Sequence, residues 1–281
     1  MIDLEANGLD KKKRWLAALV QMDTGNDLNT NLQHASEAIE KAAERGADLV
    51  CFPERMELQI SGDIAEEMEE TARKKTIHLL ERKAKECNVF IHCGSLYEKI
   101  CGEKKYSNTS ILWGPDGTVL AKYRKLHMFD VELVDGIACK ESQKVKAGED
   151  IVVVDTALGK LGFAICYDIR FPELFRKMME KGAQVIFTPA SFTKTTGKYH
   201  WEPLLRARAI ENQVYILATN QTGTKPEFEA YGHSMAIDPW GNVLTEAGVG
   251  ETIVYAEIDL EKEDDIRQQI PCISNRRTDL Y

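Results

Sequence analysis

One cysteine of this chain stands where a protein could present a nucleophile. The residues Gly162–Ile165 form a short apolar run that predicts a buried strand, and Cys166 follows at its end. A helix is predicted to begin near Pro172, because a proline in the first helical turn has no N–H bond to lose. A cysteine between a strand end and a sharp turn lies close to backbone N–H groups and can act as a thiol nucleophile. The alternative is a small buried hydrophobic residue, which is the usual role of a cytosolic cysteine.

Two more polar residues could complete this chemistry. A thiol needs a base, and a glutamate desolvated by burial can serve because burial raises the pKa of a carboxyl group. Glu54 is the candidate, since it follows a buried strand and a proline that ends it. Lys125 could keep the base and the thiolate charged and donate to an oxyanion, with the Tyr167 N–H as the second donor. Taken alone, a lysine in a basic run is usually solvated, so the hypothesis requires these residues to meet around Cys166.

The composition excludes several classes of partner. The chain has 281 residues, of which 45 are acidic and 36 basic, and its net charge is -9. This balance argues against general nucleic-acid binding and gives no reason to expect an anionic membrane surface as partner. No apolar run approaches the ~18 residues of a transmembrane helix. We therefore expect no nucleic-acid partner and no membrane partner, and the composition is compatible with a small-molecule substrate, including an anionic one.

The cysteines and the N-terminus indicate the compartment. Seven cysteines are present without a C-x-x-C pair or a zinc-ligand spacing. The first residues carry charges where a signal peptide needs its apolar region. We therefore expect a cytoplasmic protein with reduced thiols and no metal site, and the thiol chemistry outlined above needs no cofactor.

The elements that must position these residues occur twice in the same order. The first copy is predicted as strand 15–22, helix 27–45, strand 47–54, helix 66–87, strand 89–93 and a hairpin over 109–123. The segments 181–190, 212–218 and 232–244 repeat the later part of that order. Each copy would have helices on one sheet face only, so the other, apolar face must pack against its twin. The sequence therefore predicts an α/β fold, a four-layer α-β-β-α sandwich with an internal pseudo-twofold repeat. Without a Pro/Gly/Ser-rich linker, we expect a polar leader at 1–14 and a single domain over 15–281.

Three motifs make the chain similar to a known family. These motifs are Phe52–Glu54, Tyr123–His127 and Ile165–Glu173. In this order they resemble the nitrilase (carbon–nitrogen hydrolase) superfamily, over about 15–281, whose catalytic triad is Glu, Lys and Cys. The resemblance implies the same four-layer fold, a carbon–nitrogen hydrolase domain, and a homodimer or larger homo-oligomer. It also implies that Glu54 is the general base, Lys125 the oxyanion lysine and Cys166 the nucleophile.

The resemblance extends to a second glutamate and to one branch of the superfamily. Glu141 matches the glutamate that helps to position the lysine and the substrate amide. The segments Phe192–Gly197, His200–Glu202 and Ile266–Pro271 are similar to the Nit branch, which includes omega-amidase and deaminated-glutathione amidase. The loop Arg55–Ile60 departs from the small and aromatic residues usual in that branch.

The predicted reaction is hydrolysis of a small non-peptide amide to an acid and ammonia through a thioester on Cys166. The expected substrate is the ω-amide of a 2-oxo dicarboxylate, whose distal carboxylate Arg170 could bind. An ion pair of Arg170 with Asp168 or Glu173 is the structural alternative. Two further residues, Phe192 and Thr196, are expected in a loop that lines the same pocket.

Other functions remain open at this point. An N-carbamoyl amine or a nitrile could be the substrate in the same fold, and a non-catalytic binding protein could retain it. A Cys–His pair is the remaining alternative for the base. His127 is better explained as a hydrogen-bonded structural residue, and His200 as a residue before a helix that caps it.

Overall fold

The computed structural model describes residues 11–60, 66–132 and 138–280. The first ten residues of the predicted leader and Tyr281 lie outside the described residues. Within the described residues no helix combines the length and the apolar character needed to cross a membrane.

Strands and helices alternate along both halves of the described chain. The strands are β1 (Arg14–Gln21), β2 (Leu49–Cys51), β3 (Phe90–His92), β4 (Leu96–Lys99), β5 (Tyr106–Trp113), β6 (Val119–Arg124), β7 (Asp130–Glu132), β8 (Ala138–Lys140), β9 (Val153–Thr156), β10 (Gly159–Phe163), β11 (Val185–Phe187), β12 (Tyr215–Ala218), β13 (Thr222–Thr224), β14 (Glu229–Tyr231), β15 (Met235–Ile237), β16 (Val243–Glu246) and β17 (Thr252–Asp259). The helices are α1 (Leu28–Glu44), α2 (Glu66–Cys87), α3 (Pro172–Glu180), α4 (Lys194–Asn212) and α5 (Leu260–Gln269). Short 3₁₀ turns span Glu141–Gln143 and Cys166–Arg170.

The larger sheets among the described residues share one strand order. The first runs β17-β1-β2-β3-β5, with β4 and β6 both paired to β5, and the second runs β9-β10-β11-β12-β15-β16. In each, an antiparallel outer strand precedes three parallel strands and an antiparallel hairpin. The registers also match, since Leu49 pairs with Phe90 and the equivalent Val185 pairs with Tyr215. The predicted internal repeat is confirmed, and β17 joins the first sheet from the far end of the chain.

The two sheets pack face to face through their apolar inner surfaces. His92 of the first sheet stacks on Phe187 of the second with ring centroids 4.1 Å apart, and its ring lies 5.7 Å from that of Phe163. Burial lowers the pKa of His92 to about 3, so this imidazole is a neutral part of the core. The described inner faces therefore form one continuous core between the sheets.

Helices cover the outer faces. Ile39 of α1 and Leu80 of α2 pack with Val50 of the first sheet. On the second sheet Gly162 allows close approach of α3, because a Cβ there would lie 2.9 Å from the Met178 sulfur. The layers are therefore α-β-β-α, as predicted.

Candidate active site

Cys166 begins the 3₁₀ turn that follows β10. Its backbone has φ 47°, the left-handed region that residues other than glycine rarely adopt. Its N–H donates to the Pro189 carbonyl at 2.8 Å, and the side chain is only 9% exposed. Such strain persists where the surroundings hold it and is concentrated at functional sites. The turn therefore fixes the direction of the sulfur.

A buried carboxylate ties this turn to the segment that carries Lys125. Asp168 is fully buried and accepts from the Tyr123 hydroxyl at 2.6 Å and the Ile165 N–H at 2.9 Å. It also contacts Nδ1 of His127 at 2.7 Å. Asp168 stands two residues after Cys166, and His127 two residues after Lys125. The Asp168 carboxylate therefore links the two segments, and His127 has the structural role that the sequence suggested.

Glu54 is held by three donors. Its Oε1 accepts from the Asn108 side-chain amide at 2.8 Å and from Lys125 Nζ at 3.2 Å. Its Oε2 accepts from the Ser191 N–H at 2.9 Å. The Glu54 carboxylate and the Ser191 N–H both affect the pKa of the Cys166 thiol, and all three residues line one cavity. The predicted base and the predicted nucleophile thus lie in the same wall of that cavity.

Lys125 bridges both glutamates. Its Nζ donates to the two carboxylate oxygens of Glu141 at 3.0 and 2.9 Å, besides its bond to Glu54. The Glu141 carboxylate also accepts from the Phe129 N–H at 2.7 Å. The Lys125 and Glu141 side chains are 2% and 9% exposed. These residues therefore form a desolvated cluster in which every charged group has a partner.

Burial and charge set the protonation states of this cluster. Burial lowers the pKa of Lys125, but the negative charges of Glu141 and Glu54 and the Cys166 sulfur outweigh it, and the net pKa lies well above its ordinary value. Burial raises the pKa of the Cys166 thiol and the Glu54 carboxylate raises it further, against the opposing effect of Lys125. At neutral pH the site therefore contains an ammonium group and a protonated thiol.

The Tyr167 N–H takes no part in the internal hydrogen bonds of the turn. Among the described residues, no carbonyl or side chain accepts a hydrogen bond from it. The Tyr167 ring packs edge-on against Phe129 and Phe171. This backbone donor is consequently available beside the sulfur.

A cavity of about 670 Å³ opens onto the cluster. Its wall includes the predicted site residues Glu54, Lys125, Glu141, Cys166, Tyr167, Arg170, Phe192 and Thr196. The volume lies within the range usual for small-molecule sites. Among the described residues no group of three or more His, Cys, Asp or Glu side chains could hold a metal ion.

Among the described residues, Arg170 does not form the ion pair with Asp168 or Glu173 that was the structural alternative. Asp168 is engaged by the other donors. Its Nη1 instead lies 3.2 Å from Nδ1 of His200, and its guanidinium carbon lies 5.3 Å from the centroid of the Phe192 ring.

The helix after Phe192 begins earlier than the sequence suggested. Thr193 caps α4 by accepting from the Thr196 N–H, so Thr196 lies in the first helical turn rather than in a loop. His200 lies inside α4 and does not cap it, which corrects the expectation above. The helix needs a glycine at position 197, because a Cβ there would lie 2.3 Å from the Tyr231 side chain.

Two residues of the cluster were missed in the sequence. Asn108 lies on β5, and its side-chain amide approaches both Glu54 and Glu141, at 2.8 and 3.4 Å. Its signal was the run of polar residues 107–110 inside an otherwise apolar strand. Ser191 contributes its backbone N–H, which leaves no mark on the sequence.

Comparison with known proteins gives consistent results. The family model described as "Carbon-nitrogen hydrolase" matches residues 16–268. The chain is 41% identical over 265 residues to omega-amidase NIT2 of Bos taurus, covering 94% of this chain and 95% of that protein.

Solved structures agree at the level of the fold. The structure of the C. elegans NitFhit protein superposes with a TM-score of 0.89 at 38% identity, covering 96% of this chain and 67% of that one. The structure of Saccharomyces cerevisiae Nit3, described as a member of branch 10 of the nitrilase superfamily, gives 0.82 at 33% identity and covers 95% and 97%.

Proposed function

Because this chain belongs to the carbon–nitrogen hydrolase family, in the Nit branch of the nitrilase superfamily, we propose that it is an amidase that hydrolyses small amides through a thioester on Cys166. One observation carries the proposal. Glu54 and Lys125 converge with the Cys166 thiol in one desolvated cluster that opens onto a cavity. That arrangement supplies a base, a cationic donor and a nucleophile together.

In the first half of the proposed reaction the Cys166 sulfur attacks the amide carbon while Glu54 takes the thiol proton. The raised thiol pKa makes this base necessary, since the resting enzyme holds little thiolate. The Lys125 ammonium and the Tyr167 N–H stabilise the negative oxygen of the tetrahedral intermediate. When the C–N bond breaks, Glu54 returns the proton to the leaving nitrogen, ammonia departs and a thioester remains.

In the second half, water opens the thioester. Glu54 takes a proton from water, the hydroxide adds to the thioester carbon, and the C–S bond breaks to release the acid. The sulfur then recovers the proton from Glu54. Glu141 holds the Lys125 ammonium in place throughout, through both of its carboxylate oxygens. The overall reaction converts one amide and one water into one acid and one ammonia.

The substrate that fits best is the ω-amide of a 2-oxo dicarboxylate. The support is the guanidinium of Arg170 in the cavity wall, which pairs with no carboxylate among the described residues. A guanidinium of this kind can bind a carboxylate through two parallel hydrogen bonds. Phe192 and Thr196 would form the adjacent wall. The name of the bovine relative, an omega-amidase, agrees with this choice.

The test is ammonia release from 2-oxoglutaramate, compared with deaminated glutathione, an N-carbamoyl amine and a nitrile. Cys166→Ala should abolish hydrolysis with an unchanged unfolding curve, and Cys139→Ala, which removes another thiol of the same cavity wall, should keep it. Full activity of Cys166→Ala excludes the thioester. Labelling of Cys166 by iodoacetamide without turnover of any substrate would indicate a binding protein instead.

Assembly and location complete the proposal. We expect a cytoplasmic homodimer or larger homo-oligomer, with one carbon–nitrogen hydrolase domain over 15–281. Light scattering coupled to gel filtration measures the mass of the assembly, and a monomer at micromolar concentration would contradict this part.

A further inference from the structure

The polar partner of Arg170 is an imidazole rather than a carboxylate. Nη1 of Arg170 lies 3.2 Å from Nδ1 of His200, which is on α4. The guanidinium carbon also lies near two aromatic rings of the cavity wall, 5.3 Å from the centroid of Phe192 and 5.8 Å from that of Tyr167. His200 belongs to the segment His200–Glu202 that resembles the Nit branch, and it has no role in the proposed reaction.

The contact defines the state of the histidine. A guanidinium has only N–H donors, so Nδ1 of His200 must carry a lone pair. The imidazole is then neutral, with its proton on Nε2. Burial and, after it, the charge of Arg170 lower the pKa of His200, which favours the same state. Among the charged groups of the described residues, the guanidinium of Arg170 is the one that affects the pKa of this imidazole. Within α4 the nearby Glu202 pairs with Arg206 at 3.2 Å.

We propose that His200 is a positioning residue, which aims the guanidinium of Arg170 at the distal carboxylate of the substrate without neutralising it. The inference rests on the proposed function, because it assigns the group that Arg170 binds. It deepens that function by naming the residue that makes the site select amides with an anionic tail.

A neutral acceptor suits this task better than a carboxylate would. An acidic residue in place of His200 would form an ion pair with Arg170 and compete with the carboxylate of the substrate. The imidazole accepts one N–H and leaves the charge and the remaining donors of the guanidinium for the ligand. The Phe192 and Tyr167 rings add cation–π contacts to this hydrogen bond.

The arrangement predicts how binding responds to acid. Once His200 is protonated, Nδ1 can no longer accept, and two cations face each other. KM for an amide with a distal carboxylate should then rise as the pH falls through the pKa of His200. The protonation of His200 should leave kcat unchanged. An amide of similar length without the carboxylate should show no such rise in KM.

The experiment compares variants at His200 with 2-oxoglutaramate as substrate. His200→Ala should raise KM about tenfold at pH 7.5 with kcat unchanged, as expected for a lost hydrogen bond to a charged group. His200→Asn, whose side-chain oxygen can take the place of Nδ1, should restore a low KM and remove its dependence on acid. His200→Glu should raise KM more than His200→Ala. The matched control is Tyr199→Ala, a 73% exposed neighbour on the same helix, which should change neither constant.

A measurement that needs no turnover separates this inference from the proposed function. In the ¹⁵N NMR titration of the imidazoles, the pKa of His200 should rise toward its ordinary value in Arg170→Met. If 2-oxoglutaramate is hydrolysed but His200→Ala keeps the wild-type KM, or if the titration is unchanged in Arg170→Met, the inference is wrong and the proposed function stands. If the titration moves but no ω-amide is hydrolysed, the proposed function fails.

Discussion

Replacement of Lys125 by methionine tests the electrostatic account of the cluster. The ammonium lies 3.2 Å from Glu54 Oε1 and 2.9 Å from Glu141 Oε2, and its side chain is 2% exposed. Methionine has nearly the same length and no charge. Lys125→Met therefore leaves two carboxylates in a desolvated site without their cation.

The expected cost is large. Removing one partner of a buried ion pair costs roughly 3–5 kcal/mol, because the remaining charge is left uncompensated. This is a considerable part of the roughly 5–15 kcal/mol by which proteins of this kind are stable. The pKa of Lys125 is raised on folding, so its stabilising effect is fully present below its ordinary pKa of 10.5 and is lost only as the pH rises beyond it. The loss of stability in the variant should therefore be measurable at pH 8, where the Lys125 ammonium of the wild-type protein is charged.

The assay is urea unfolding followed by tryptophan fluorescence at pH 8. The double variant Lys125→Met/Glu141→Gln removes one of the two carboxylates and should recover part of the lost stability at pH 8. Lys13→Met is the control, since it breaks a solvent-exposed pair with Glu261 and should leave the curve unchanged. If Lys125→Met unfolds at the same urea concentration as Lys13→Met at pH 8, the cluster is not electrostatically coupled as described.

Further predictions concern the base Glu54, the buried carboxylate of Asp168 and the backbone at Gly94. Glu54→Gln removes a charge that raises the pKa of the Cys166 thiol, so iodoacetamide should alkylate the variant faster at pH 8. Ammonia release should fall about 100-fold or more, because the base is lost. Slower alkylation would contradict the electrostatic effect of Glu54 on the thiol. Asp168→Asn turns an acceptor of several hydrogen bonds into a partial donor, and urea unfolding should show a loss of about 1–3 kcal/mol together with lower activity. Gly94→Ala places a Cβ 1.9 Å from the carbonyl oxygen of the residue before Glu54, so the soluble yield should drop sharply. Gly46→Ala, which has a similar φ of 81° and open space around it, should cost only about 1–2 kcal/mol, and equal yields of the two variants would refute the steric argument.

The part of the site that could be predicted from the sequence lies at the ends of regular elements. Glu54 and Cys166 each follow a short apolar run, and the strands β2 and β10 overlap these runs. The two strands belong to different sheets, and the internal repeat indicated that these sheets pack face to face, so that residues from both halves can meet between them. For Lys125 the prediction depended on the turn after a hairpin, which the structure contains.

The remaining contacts depend on tertiary packing that no local pattern encodes. The partner of Arg170, His200, is 30 residues away on a helix that was predicted to begin later than it does. A glycine such as Gly197 locally disfavours a helix, but the neighbouring Tyr231 side chain leaves no room for a Cβ at this position. Asn108 acts through its distance to two glutamates, which only the fold defines. Backbone donors such as the Ser191 N–H are common to every residue and carry no signal in the sequence.

The internal repeat also explains why such a symmetric scaffold carries an asymmetric site. By the strand registers, the position equivalent to Cys166 in the other copy of the repeat is Met22. The position equivalent to Glu54 is Ala190. The isolated bridges agree, since Glu54 pairs with Ser95 and Ala190 pairs with Asn220. Base and nucleophile therefore lie on separate halves, and neither half alone contains both.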